Sequence, residues 1–292
     1  MSSPVQPLFP AAFSVDASID GQLLERIHDL GLMHLQPSSP SRIVNLLTEL
    51  PQLDAAAAMR VGHDAANQFN QLIDEAARLM LHPTLRDTQR VLEGLMDALD
   101  DFGHMYERPV GWLNRLIWRD QTPRLTQTHY MKTRQTLSRL LERMKPLLLK
   151  ISPIRQRLQT LSQHNAYIQS QFDEYIAALT LYQQQHPESS QHQVMEDGKA
   201  MRLARRLASL QVLAQSAQLQ AQQLALMVEQ LHQLHERMNE VQQVIYPLWQ
   251  QQCMTLLSGQ QHQDAMVELH QIQHQFVDRL SQSALVLAPN KP

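Results

Sequence analysis

Only eight glycines and one cysteine occur among 292 residues, and aromatic residues make up 5% of the chain. So little glycine and aromatic material leaves few positions for tight turns and half-buried strands. A lone Cys253 cannot close an intrachain disulfide, and with no second cysteine a thiolate zinc site is excluded. The cytosol is therefore the expected compartment. The start, Met1-Ser2-Ser3-Pro4, lacks the cationic and apolar regions of a signal peptide, and no apolar run approaches the ~20 residues of a membrane span. A Gly-rich phosphate loop and a Ser/His/Asp set in a strand-turn context are also missing, so neither an enzyme nor a cofactor is expected. What is abundant is Gln, Leu, Ala and Met, which favour helix. The expected fold class is all-α.

The rest of the chain is organised around Lys199 to Tyr246, 48 residues without an internal Pro or Gly. Leu207, Leu210, Ala214, Ala217, Ala221, Leu224, Val228, Leu231, His235 and Met238 alternate by three and four, the seam of a helix packed along other helices. Leu213, Met227, Leu234 and Val241 widen that stripe, which favours a bundle over a two-stranded zipper. Pro247 is expected to stop this helix, and Trp249 to pack into the junction with a third segment, Leu248 to about Leu287. That segment carries Met266, Leu269, Ile272, Phe276 and Leu280 on one face. A second seam runs through Leu158, Leu161, Asn165, Ile168, Phe172, Tyr175, Leu179 and Tyr182. Pro146 and Pro153 predict a kink or break between Met144 and Ile154. The two rods should pair antiparallel through the polar loop His186 to Gly198.

The N-terminal third reads as shorter helices. Residues 1–19 form an expected disordered tail, followed by a helix from Asp20 to about Leu30 and another from Ser41 to Leu50. Asp54 opens a helix to about Leu81 with Met59, Ala66, Phe69, Ile73, Ala77 and Met80 on one face. A further helix spans Leu85 to Phe102, with Gly103 after it. Trp112, Leu113, Leu116, Ile117 and Trp118 form a joint. The predicted layout is thus a smaller helical domain at 20–118, a coiled-coil-like bundle of long antiparallel helices at 119–288, and a tail at 289–292.

Charge is unevenly placed around a formal net of −3: residues 115–157 carry a balance of +9, residues 1–114 carry −8 and residues 158–292 carry −4. Arg134, Arg139, Arg143 and Lys150 belong to the basic stretch. Two readings stand: a solvated face balanced by the acidic N-terminal helices, or a docking surface for anionic lipid or an acidic partner. The negative total and the lack of a recognition motif argue against nucleic acid. His232 with His235, and His270 with His274 and Asp278, have helical spacing that can place ligands together. Among fourteen histidines chance pairs are common, so these are expected to be structural or solvent-facing, and no metal is assigned. Asn165 in its seam is expected to set helix register.

Three stretches resemble the TelA-like toxic-anion (tellurite) resistance family. Val244-Ile245-Tyr246-Pro247-Leu248-Trp249-Gln250, with Arg206 and Gln215 upstream, resembles the family's Ile-x-Pro-Leu-Trp helix end. Tyr175-Ile176-Ala177-Ala178, with Leu158, Leu161 and Asn165 upstream, is similar to its Tyr-Ile-Ala-Ala helix. Arg60-Val61-Gly62, then Phe69, then Gly111 to Ile117, is similar to its N-terminal helices. Leu179 replaces the family's Gly after Ala178, and the Thr-Thr-Asn motif expected beyond Trp249 is missing, so the chain looks like a shortened member. The resemblance implies a cytoplasmic stress protein linked to tellurite and other toxic-anion resistance.

From these features the chain is expected to be a non-enzymatic helical scaffold acting through a protein partner of a stress-resistance system or a peripheral anionic membrane contact. The seams also admit an oligomer. The alternative is a membrane-acting, pore-forming toxin-like protein. Against it, the loop Gln183 to His192 is polar where such a toxin needs an apolar insertable hairpin. A tellurite-reducing enzyme is disfavoured by the single thiol.

Overall fold

The computed structural model describes Glu25 and residues 40–107, 122–186, 198–258 and 262–287. Among them the secondary structure is all helical, with long helices packed as a bundle and a smaller N-terminal helical part. The expected tails, all of the helix at 20–30 except Glu25, the cluster from Trp112 to Trp118 and the loop residues 187–197 lie outside the described residues. So does the expected domain border at 118 and 119.

The elements are α1 Pro40–Glu49, α2 Ala55–Ala58, α3 His63–Met80, α4 Pro83–Glu107, α5 Thr122–Gln185, α6 Lys199–Glu240, α7 Tyr246–Leu257 and α8 His262–Leu287. A 3-10 turn, Leu50–Gln52, follows α1, and a π-helical segment, Val241–Ile245, joins α6 to α7. Asp54 caps α2, its side chain accepting from the Ala57 N–H at 2.6 Å.

Several expected boundaries are corrected. The helix from Asp54 divides at Gly62, whose φ of +69° is left-handed. A Cβ there would lie 3.0 Å from Leu210 and 3.1 Å from Tyr175, so both conformation and space select glycine. The buried face of α3 is Ala65, Ala66, Phe69, Leu72 and Ala76, while Ile73 and Met59 are exposed. The two candidate stripes share Ala66 and Phe69, and packing selected the other one. Gly103 lies inside α4 instead of ending it. Its missing side chain leaves room for Gln273 of α8, whose Nε2 donates to the Leu99 carbonyl at 2.8 Å.

The prolines do not interrupt the rods. Helix α5 continues through Pro146 and Pro153. The carbonyls they leave without a helical donor belong to Glu142 and Leu149, both on the solvent face, while Leu148, Ile151 and Ile154 keep the inner face packed. Pro247 likewise sits in the first turn of α7 and does not stop the chain. The preceding π turn, closed by Tyr246 N–H to Val241 O, widens the backbone ahead of the ring. Ser258 ends α7, so the third segment is not continuous from Leu248.

The chain forms two compact units. One comprises Met1–Ala76 with Thr160–Ala225, and the other Ala77–Gln159 with Leu226–Pro292. In the first, Asn165 meets Ala217 and Tyr182 meets Lys199, which makes α5 and α6 antiparallel there. Its core includes Ile43, Leu50, Phe69, Ile168, Phe172 and Leu210, with Phe69 edge-on to Phe172 at 6.0 Å. In the second, Arg155 meets His232 and the Arg134 carbonyl meets Tyr246, again antiparallel. Helix α8 lies along α4, and Leu95, Leu99, Phe102, Leu137, Met238, Trp249 and Phe276 fill the core.

Candidate interaction surface

In the second unit, Tyr130, Leu137, Leu141, Met144, Leu148 and Ile151 repeat by three, four or seven along α5 and are all buried. That burial fixes which face looks outward. Arg134, Arg139, Arg143 and Lys150 are all exposed, and none forms an ion pair with a described residue. Lys145 differs, pairing with Glu142 of its own helix at 2.7 Å. A groove of about 680 Å³ is lined by Met131, Lys132, Arg134, Gln135, Ser138, Arg139 and Glu142. Three cations and one carboxylate around an apolar Met131, itself 52% exposed, suit an anionic group attached to an apolar body. Burial pushes the Tyr130 hydroxyl above its ordinary pKa, with the Arg134 charge opposing.

The Tyr175-Ile176-Ala177-Ala178 stretch lies in the first unit, where α5 is buried almost all round: Gln171, Phe172, Asp173, Glu174, Ile176, Ala177, Ala178 and Leu179 are all buried. Glu174 is fully buried and pairs with Arg42 Nε at 3.4 Å. The same guanidinium lies 5.8 Å from the centre of the Tyr175 ring, with Nη2 3.5 Å from its hydroxyl. Burial opposes the Arg42 charge, but Tyr175 and Glu174 outweigh it and raise the pKa. Arg206, whose Nε donates to the Val61 carbonyl at 2.6 Å, shifts the other way because burial dominates. Tyr175 also helps line a cleft of about 540 Å³ with Leu50, Arg60, Gly62 and His63. Sequence reasoning missed this charged cluster. The available signal was four apolar residues in succession, 176–179, which a one-sided seam does not require.

Pro247-Leu248-Trp249 serves the core of the second unit. The Trp249 indole is fully buried, with ring centres 5.2 Å from Phe102, 5.7 Å from Tyr130 and 6.2 Å from Tyr246. Its Nε1 has no hydrogen-bond partner among the described residues. Leu248, by contrast, is 41% exposed.

The remaining candidates separate cleanly. Asn165 is fully buried and its Nδ2 donates to the Ala217 carbonyl at 2.8 Å, so it ties α5 to α6. His232 has Nδ1 at 2.9 Å from Arg155 and Nε2 at 3.2 Å from Glu236, while His235 is half-buried. His270 and His274 are exposed and meet each other at 3.0 Å. Burial of Cys253 pushes its thiol pKa well up, which disfavours the reactive thiolate. Among the described residues no group of three or more His, Cys, Asp or Glu side chains is placed to hold a metal, and no helix is long and apolar enough to cross a membrane.

Fold and surface together define an all-helical protein of paired long helices with an exposed basic helix face. No family model matches the chain, and no solved structure matches it. Protein KlaA of Escherichia coli is similar to it, 27% identical over 227 residues that cover 76% of this chain and 84% of KlaA.

Proposed function

We propose that the chain is a non-enzymatic helical scaffold of the TelA-like type, serving in resistance to tellurite and other toxic anions through a contact made by its basic helix face. The observation that carries this reading is the set Arg134, Arg139, Arg143 and Lys150, exposed and without a described acidic partner beside a groove of about 680 Å³. Support also comes from the motifs at Tyr175 to Ala178 and Pro247 to Trp249, and from a likeness to KlaA that extends over most of both chains. The motif residues Ile176, Ala177, Ala178 and Trp249 are buried, so the partner meets the exposed basic face of α5 in the second unit. An acidic protein of the same resistance system or an anionic membrane surface supplies the opposing charge.

Such attraction decays over a Debye length of about 8 Å at physiological salt, so the contact weakens as salt rises. Sedimentation with neutral and anionic vesicles across a salt series distinguishes the two partners, using the wild type and a variant with all four residues changed to Gln. Salt-sensitive binding to anionic vesicles, lost in the variant, identifies the membrane as the partner. Absence of binding by both proteins removes the membrane and leaves the acidic protein.

A further inference from the structure

Helix α8 brings the rings of His270 and His274 together one turn apart. Their Nε2 atoms are 3.0 Å apart, with ring centres 4.4 Å apart and planes at 87°. Both residues are exposed, so the pair is open to ions from solvent. Two nitrogens at this distance can share one proton or ligate one ion. With metal–nitrogen bonds of about 2.0–2.1 Å, a coordination angle of about 90° sets two nitrogens about 2.9 Å apart, whereas a tetrahedral angle sets them about 3.3 Å apart. The separation in α8 fits the first geometry, that of adjacent equatorial positions on a tetragonal ion.

We propose that His270 and His274 form a two-nitrogen surface chelate for a divalent transition metal of tetragonal preference, the cupric ion above others. Copper(II) heads the affinity order for nitrogen sites of this kind and prefers square-planar nitrogen and oxygen ligands. The other spaced pair offers no equivalent, because both His232 nitrogens are engaged by Arg155 and Glu236. No third protein ligand is assembled among the described residues, so water completes the coordination and the ion stays exchangeable. This site is independent of the basic face of α5.

Titration of the full chain with copper(II), followed by calorimetry and electron paramagnetic resonance, tests the assignment. The first equivalent is expected to show two equatorial nitrogen ligands. His270→Gln and His274→Gln should each weaken that binding by at least about 100-fold, the lower end of the gain from linking two binding groups. His232→Gln should leave it unchanged, and circular dichroism of the exposed-site variants should match the wild type. Unchanged affinity in the His270 and His274 variants, or a first equivalent lost with His232→Gln, overturns the proposal.

Discussion

At the residue scale, the most specific motif position proved structural. Trp249 stands between Phe102, Tyr130 and Tyr246 with no exposed surface, which is what Pro247-Leu248-Trp249 at the end of a rod predicts. Trp249→Ala should therefore destabilise the protein by about 3–5 kcal/mol, the range for emptying a large aromatic site. Fluorescence of a variant lacking Trp112 and Trp118 supplies the check: blue-shifted emission resistant to iodide is expected, and red, readily quenched emission would place the indole in water. Asn165 was also legible, since an amide in an apolar seam must find a partner. Its partner, the Ala217 carbonyl, was not, because the choice depends on how closely α6 approaches at a small residue. The Arg42 to Glu174 pair escaped detection for a similar reason. Residues 132 positions apart carry no mutual signature until the helices are placed.

At the scale of elements, the seams were readable and their interruptions were not. Along α6 Leu203, Leu210, Ala217, Leu224, Leu231 and Met238 are buried, one every seven residues as a heptad seam requires, and Leu234 joins them in the second unit. As a sign of a helix break, proline was the misleading signal. Its local cost is real, but a helix packed along tens of residues tolerates one missing bond when the orphaned carbonyl faces solvent, as those of Glu142 and Leu149 do. Pro153→Ala should then restore a backbone bond and stabilise the chain by up to about 3 kcal/mol, read as a higher melting temperature. A lower melting temperature would show that the proline bends α5 to seat Ile154 and Leu158. Glycine misled in the opposite sense. Gly103 resembles a helix end, yet it serves the approach of Gln273, a long-range demand invisible to a local reading.

At the scale of the whole molecule, the helical class followed from composition, and the uneven charge pointed to α5 before any packing was known. The structure adds that four of those cations face outward without a described acidic partner. Whether that face is used is a question about function, and tellurite tolerance answers it most directly. In the source organism, the native gene would be replaced by one encoding Gln at Arg134, Arg139, Arg143 and Lys150, with protein abundance matched by immunoblot. Because all four side chains are exposed, the variant should fold and accumulate normally, as surface substitutions usually do. The expected result is that the Gln variant lowers tellurite tolerance to the level of a deletion strain. Tolerance equal to the wild type in the variant, or in the deletion strain, would contradict the account.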